Sequence, residues 1–463
     1  MCHRFGMKSP ILSLGTILCL GTSSLLAADT PPAGFQPMFN GKDLSGWVPV
    51  NVAPETFTVR DGMIVTNGNP TGYMRSEKVY ENFVMEVDWR HMKAGGNSGI
   101  FVWGDGIPAL GTGYTRGIEV QVLDNAYNIK GKNEWFTTHG DIFPIWGATM
   151  TPAGRIAQRG SRSFPSEERS KSSPEWNHYR ITGNNGELRL EVNGKEVTIG
   201  KDCRPRKGYI SLESEGSECH FKNLFIKELP STGAPESESH NPYTGFNSLF
   251  TGTDFRGWRV PQGDNNHWKA AGGEIDYDAL SEAPGEKHLW TEKEFSNYTL
   301  ILDWKIKATP YNNPTIRDIQ PDGSDKLGAD GKPVTLPGPD ADSGILLNGS
   351  ERHQVNIWNW PVGSGEMYGV RKNPASSPEL KAAVTPKKRA DKPVGSWNRF
   401  EITVLKKHVT VILNGEKLID NAFIPDLPDK GPIGFQHHGK KEAGEWTEAP
   451  SLIRIRSIFL KEL

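Results

Sequence analysis

Glu119, Asp124, His139 and Asp141 follow one another closely in the chain, and side chains of these types could share acid–base work. In the segment from Gly117 to Asp124, strand alternation puts Glu119 and Gln121 on one face and Val120 and Val122 on the other. Asp124 has the wrong parity and joins that face only at a bulge or at the strand's end. Thr138-His139-Gly140-Asp141 reads as a loop, where an imidazole titrating near neutral pH stands beside a carboxylate. Glu213-Ser214-Glu215 comes just before the last strand of this part of the chain and adds two more carboxylates. A polar strand face turned to water, with no chemistry at all, is the competing reading.

The elements that would position these groups occur twice. Gly34-Phe35-Gln36-Pro37-Met38-Phe39-Asn40-Gly41 leading to Gly46-Trp47 matches Gly245-Phe246-Asn247-Ser248-Leu249-Phe250-Thr251-Gly252 leading to Gly257-Trp258. Ser98-Gly99-Ile100 pairs with Ser343-Gly344-Ile345, Trp176-Asn177 with Trp397-Asn398, and the closing Lys227-Glu228-Leu229 with Lys461-Glu462-Leu463. The chain therefore reads as residues 1–28 of leader, a first copy over 34–229, a Ser/Pro/Glu-rich linker over 230–244 and a second copy over 245–463. Within each copy the hydrophobic period is two: Phe83, Met85, Val87 and Trp89 alternate with polar residues, and Tyr298, Leu300, Leu302 and Trp304 do the same. Asn193-Gly194 and Asn414-Gly415, each between alternating runs, are hairpin signals. The expectation is an all-β pair of sandwiches, the second with Gly/Pro-rich insertions near 308–340 and 371–393 crossing the mouth of its sheet.

Where the first copy has Glu119 to Asp124, the second reads Gln354-Val355-Asn356-Ile357-Trp358-Asn359, so carboxylates give way to amides. With Trp358, Trp360 and Tyr368 nearby this suggests a surface on which a sugar ring stacks. His353, His437, His438 and Asp342 leave room for a second acid–base site. Adjacent histidines in an extended strand point to opposite faces, so His437 and His438 do not by themselves make a metal clip.

Composition narrows the classes. The 463 residues carry 53 Lys and Arg against 55 Asp and Glu, a net charge of -2, which offers no field for a phosphate backbone; nucleic acid is not an expected partner. The 51 Gly, 33 Pro, 14 Trp, 11 Tyr and 19 Phe suit many short strands and turns. Arg4 and Lys8, the apolar run after Pro10 and the small residues before Asp29 read as a cleavable export signal, placing the mature chain in the periplasm or outside the cell. No later run is long and apolar enough for a membrane-spanning helix. Cys203 and Cys219 then remain, and a disulfide between them and two free thiols are equally open.

At these residues the sequence resembles the 3-keto-glucoside 1,2-lyase/3-keto-2-hydroxyglucal hydratase family, also called 3-keto-disaccharide hydrolases. The resemblance rests on Phe39-Asn40-Gly41 to Gly46-Trp47, Asn97-Ser98-Gly99-Ile100-Phe101, the Gly117 to Asn125 segment, Glu175-Trp176-Asn177 and Gly208-Tyr209-Ile210-Ser211-Leu212. It implies a concanavalin A-like jelly-roll sandwich in each copy and a secreted role in carbohydrate breakdown. The implied substrate is a glucoside or oligosaccharide oxidised at C3 by a separate sugar dehydrogenase, since this chain has no Gly-rich dinucleotide fingerprint. A C3 ketone acidifies the C2 proton, so a base can remove it, the C1 oxygen can leave, and water can add to the resulting glycal. In these terms His139 or Glu119 is the expected base and Asp124 or Asp141 the acid or a metal ligand. Gln121, Asn97 and Arg75 would hold hydroxyls, and Glu213, Glu215, His353, Trp358, His437 and His438 would contribute to sugar binding. A divalent cation could steady the enolate, although no ligand spacing demands one. A lectin-like binding protein and a conventional sandwich glycosidase are the alternatives. The Glu, +2, +5 pattern is similar to that of sandwich endoglucanases, with Gln121 in place of their middle carboxylate.

Overall fold

The computed structural model describes residue 1 and residues 30–158 and 160–463, so the expected export signal lies outside the described residues. Alternation in the sequence becomes alternation in burial. In Phe83–His91 the side chains of Phe83, Met85, Val87 and Trp89 enter a fully buried core, while Glu86 and Asp88 face outward and pair with Arg180 and His178 of the neighbouring strand. Each half is two antiparallel sheets packed face to face. The first half has a nine-stranded and an eight-stranded sheet; the second has an eight-stranded and a five-stranded sheet, with two short two-stranded ribbons beside them. The chain is a tandem pair of concanavalin A-like β-sandwiches with separate cores, one built around Trp89, Tyr179 and Phe221 and the other around Trp268, Trp304 and Phe400.

The two Asn-Gly pairs do what their chemistry dictates. Asn193 and Gly194 have φ of 48° and 84°, Asn414 and Gly415 54° and 83°, and each pair closes a hairpin between strands of the core sheet. Only residues that tolerate φ > 0 at both central positions allow a turn whose twist matches the strands. The insertions of the second half form a short ribbon (Tyr311–Asn313 with Gly338–Asp340) and two small helices, Tyr368–Arg371 and Pro378–Ala383, beside the mouth of the five-stranded sheet. Among the described residues no helix is long and apolar enough to cross a membrane. Cys203 and Cys219 are both buried and both free, filling core positions as small hydrophobes.

The outer face of the first half's eight-stranded sheet serves two purposes. Val50, Tyr73, Phe101 and Ile107 pack against Ile301 and Phe459 of the second half, joining the sandwiches through a small apolar seam. Beyond that seam the same face is open, and the polar residues of the strand Gly117–Leu123 stand on it.

Candidate active site

Register explains why three carboxylates meet on this open face. Asn97–Gly104 pairs with Gly117–Leu123 so that Phe101 faces Glu119 and Gly99 faces Gln121; on its other edge it pairs with Gly208–Ser214, and Asn97 bridges to Glu215. Ile100, Ile118, Val120 and Leu212 point into the core, leaving Glu119, Gln121 and Glu213 on the outer side. Gly99 lies between them. A Cβ placed on it would sit 2.8 Å from Glu119 Oε1 and 2.9 Å from Glu213 Oε2, so two buried carboxyls occupy the space above a bare backbone. Glu215 completes the set: Asn97 Nδ2 donates to its Oε2 at 2.6 Å and Tyr114 Oη to its Oε1 at 2.9 Å.

The cleft holds about 470 Å³ and is walled by Trp135, Phe143, Ile145 and Trp146. Arg162 is the one cationic side chain among the described residues lining it. Its guanidinium lies 3.5 Å from the centre of the Phe143 ring, and Nη1 donates to Asp141 Oδ2 at 3.2 Å and Gln121 Oε1 at 3.4 Å.

Burial governs the protonation of these groups. Loss of water pushes Glu119 up to about 8, partly opposed by the Arg162 charge and reinforced by Glu215 and Asp141. Burial raises Glu213 well above the usual carboxylate range, with the neighbouring Glu119 and Glu215 charges adding to it. Glu215 is raised by burial, against which the hydrogen bonds from Tyr114 and Glu213 pull downward. At neutral pH Glu119 therefore carries a proton it can donate, while Glu215 has hydrogen-bond donors that favour its ionised form.

Several expected residues sit elsewhere. Asp124 lies past the strand's end and turns into the loops. Its Oδ1 accepts from the N–H of Gly95 and Ala126 and its Oδ2 from Ser173 N, and these donors overcome the upward push of burial to hold its pKa below the ordinary value. It staples loops and does not line the cleft. His139, at φ 24°, is turned inward: its ring packs 5.9 Å from Trp89, Nδ1 meets Ser170 Oγ, and burial drives its pKa down to about 4. A buried neutral imidazole behind the sheet has no path to a substrate. Asp141 is also buried and works at one remove, accepting from Thr137 and holding Arg162, with burial raising its pKa against that cation's pull. Arg75 lies over the Tyr209 ring at 4.1 Å and donates to Gly106 O and Ser76 O, away from the cleft. Asn97, Gln121, Glu213 and Glu215 all line it. Arg162, Tyr114, Trp135 and Trp146 escaped sequence reasoning because they come from loops with no period to mark them. The signal that could have found the two tryptophans is large aromatics in polar loops, which the structure leaves 53% exposed.

The second half has a matching cleft of about 500 Å³. Its strands keep the register, Leu346 facing Gln354 and Gly344 facing Asn356, so each first-cleft group has a counterpart. Asp342 stands for Asn97, Gln354 for Glu119, Gln436 for Glu213 and His438 for Glu215. Gln354 Nε2 donates to Gln436 Oε1 at 2.8 Å. His438 Nδ1 donates to Ala449 O at 2.6 Å, and its Nε2 faces Asp342 Oδ2 at 4.0 Å. Burial pushes Asp342 up to about 7, with His438 opposing. Trp358 lines this cleft with Trp360 stacked on it at 4.2 Å and Tyr368 edge-on. His353 and His437 do not line it: His353 is held by Ser350 and Asp426, and His437 by Tyr277, with burial lowering both pKa values, that of His437 to about 4.

Among the described residues one trio, Glu286, His288 and Glu351, gathers metal-ligand atoms within 4.8 Å of one another, and it lies outside both clefts. His288 Nδ1 accepts from His437 N at 2.9 Å, so the neutral ring carries its proton on Nε2, the atom that faces Glu351. That arrangement turns a ring N–H toward the carboxylate at 3.5 Å and does not suit a cation. In the first cleft the fixed positive charge is the Arg162 guanidinium.

Fold and site together define a tandem β-sandwich protein with a carboxylate-lined cleft in one copy and an amide- and aromatic-lined cleft in the other. The model of the 3-keto-alpha-glucoside-1,2-lyase-like domain matches the chain twice, over residues 34–227 and 245–461, and the protein belongs to that family as a two-domain member. This membership marks it as a carbohydrate-acting or carbohydrate-binding sandwich protein. No curated protein matches the chain. Among solved structures it is similar to a candidate glycosyl hydrolase from Parabacteroides distasonis ATCC 8503, at 24% identity over 42% of this chain and 94% of that one, with a TM-score of 0.35. It is also similar to the carbohydrate binding module CBM66 from Bacillus subtilis, at 12% identity over 40% and 97% of the two chains, with a TM-score of 0.28. A third similar structure is the exoplasmic/lumenal domain of VIP36 in its Ca²⁺/Man-bound form, at 12% identity over 42% and 87%, with a TM-score of 0.30.

Proposed function

We propose that the first cleft cleaves glucosides oxidised at C3 by elimination across C1 and C2. The observation that carries this reading is Arg162, a guanidinium inside a cleft of protonatable carboxyls. Conventional glycoside hydrolysis passes through an oxocarbenium-like transition state, which a neighbouring cation destabilises. Elimination next to a ketone passes through an enolate, whose negative oxygen a fixed cation stabilises. Glu215 takes the C2 proton, and the C–H electron pair becomes the enolate of the C3 ketone, facing Arg162. The pair then returns to form the C1–C2 double bond as the C1–O bond breaks, and Glu119 gives its proton to the departing oxygen. The products are an alcohol and an unsaturated 3-keto sugar, to whose C1 water can add by the same two groups acting in reverse. Where the unsaturated sugar leaves before water adds, Glu213, which lies beside Glu119 and is hydrogen-bonded to Glu215, is placed to return the proton from base to acid.

Such a substrate requires a separate sugar dehydrogenase upstream, and the leader-like N-terminal segment is the ground for placing the protein in the periplasm or outside the cell. The second cleft favours a binding role, because the Trp358–Trp360 stack and the amides of Gln354 and Gln436 suit a sugar ring and its hydroxyls. A paired assay tests the proposal. Purified protein should leave 4-nitrophenyl glucoside intact and convert its 3-keto analogue with the rise of an enone absorbance, each measured with and without chelator to test the divalent cation. Cleavage of the unoxidised glucoside at a comparable rate would reassign the cleft to hydrolysis, and binding of both without turnover would make the protein a lectin.

A further inference from the structure

The loop of residues 105–116 reaches in two directions at once. At its base, Arg116 forms a two-pronged pair with Asp105 at 2.9 and 2.8 Å. Its tip enters the second sandwich. Arg399 Nη2 donates to Pro108 O at 2.9 Å, Gly111 N donates to Asp303 Oδ2 at 2.9 Å, and Arg456 Nη1 donates to Gly111 O at 3.3 Å. Asp303 is wholly buried and held by Arg399 through bonds of 2.7 and 2.9 Å, so its position is set by the second sandwich. Gly111 has φ 74°, and a Cβ there would meet the Trp397 ring at 2.5 Å, so the tip fits its socket only as glycine. On the far side of the same loop Tyr114 stacks on Trp146 at 6.0 Å and donates its hydroxyl to Glu215. Two residues separate the anchored glycine from the tyrosine, and Ala109 N closes the turn onto Tyr114 O at 2.8 Å.

We propose that Asp303 and Arg399 are positioning residues for the first cleft: the second sandwich clamps the loop whose Tyr114 hydroxyl sets the protonation of Glu215. The tandem arrangement then has a function apart from the second cleft's own binding, since one copy supplies a wall that the other needs. The catalytic consequence rests on Glu215 being the base; the clamp itself does not.

The groups that face Glu215 are Tyr114 from the loop, Asn97 and Glu213 from the adjoining strands, and Glu119 and Arg162 across the cleft. Of these only Tyr114 is tied to the second sandwich. Its hydrogen bond favours the carboxylate, so losing it should raise the Glu215 titration by about one pH unit. Side-chain carboxyl ¹³C NMR on the full chain, with Glu215 assigned by its loss in Glu215→Gln, reads this without substrate. Tyr114→Phe and Asp303→Ala should each produce the upward shift, and the double variant should add nothing to it. Asp303→Asn, which keeps an acceptor for Gly111 N, should restore the wild-type value. Should Asp303→Ala not fold, Gly111→Ala, whose Cβ would push the loop tip off the Trp397 ring, replaces it with the same expectation. In turnover, the acidic limb of the kcat profile should move upward with the titration, lowering kcat about tenfold below that limb while KM changes little. An unmoved Glu215 titration in Asp303→Ala or in Tyr114→Phe, or additive shifts in the double variant, overturns the clamp. Shifts as expected in a protein that turns over no 3-keto glucoside would support the clamp and reject the elimination.

Discussion

Glu119→Gln separates the acid from the rest of the cleft. The amide keeps the size of the side chain and removes the proton that leaves with the C1 oxygen. General acid assistance typically contributes about 10²–10⁴ in rate, or roughly 3–5 kcal/mol of barrier. That help matters only when the departing oxygen is basic. For a 3-keto disaccharide, whose leaving group is an alkoxide, kcat should fall by about that factor, whereas for the 3-keto 4-nitrophenyl glucoside, whose phenolate leaves unaided, it should fall less than about tenfold. Because Glu119 is pushed up to about 8, the wild-type rate on the disaccharide should fall above that pH, and this alkaline limb should vanish in the variant. The stability consequence has a definite sign. A carboxyl whose folded pKa lies above its unfolded value near 4.5 favours folding fully below 4.5, and this contribution is lost as pH rises toward 8. Denaturant titrations should therefore show Glu119→Gln gaining on wild type between these limits, by up to about 1.4 kcal/mol per pH unit. Equal losses on both leaving groups, or an alkaline limb that survives the substitution, would refute the assignment of Glu119 as the acid.

Three other outcomes follow from the same geometry. Arg162→Met should lower kcat on 3-keto substrates by about 10²–10³ while leaving binding of unoxidised sugar, measured by calorimetry, within a few fold. Asp124→Ala should cost about 1–3 kcal/mol in denaturant midpoint because three backbone N–H groups lose their acceptor, yet kcat per folded molecule should stay near wild type. Trp360→Ala, which strips the outer ring from the stack in the second cleft, should weaken oligosaccharide binding by about tenfold in calorimetry and leave first-cleft turnover unchanged.

Much of this architecture was legible in the sequence. The duplication, the period-two strands and the Asn-Gly turns are local signals, and local chemistry decides them. The pairing of Glu119 with Gln121 on one face was legible for the same reason, since alternation along a single strand places them. Asp124 and His139 lie near Glu119 along the chain and outside the cleft in space, because the path of the chain after the strand is set by longer-range contacts. The strand stops at Leu123, the following residue finds backbone donors, and the loop then folds His139 behind the sheet against Trp89.

By itself the sequence determined two sandwiches of one family, which residues face out of the strand Gly117–Leu123, and that the second copy replaces the first copy's carboxylates with amides. Only the tertiary structure decided which strands lie beside that one, and so that Glu213, distant in sequence, shares the space above Gly99 with Glu119 while Glu215 bridges to Asn97 beside them. It alone brought Arg162 over Phe143 and Tyr114 onto Glu215. The physical reason is that the direction of a strand side chain is fixed by its own backbone, whereas register between strands and the path of a loop are fixed by what packs against them. The cleft's charge, its raised pKa values and its link to the second sandwich all arise from those longer-range contacts.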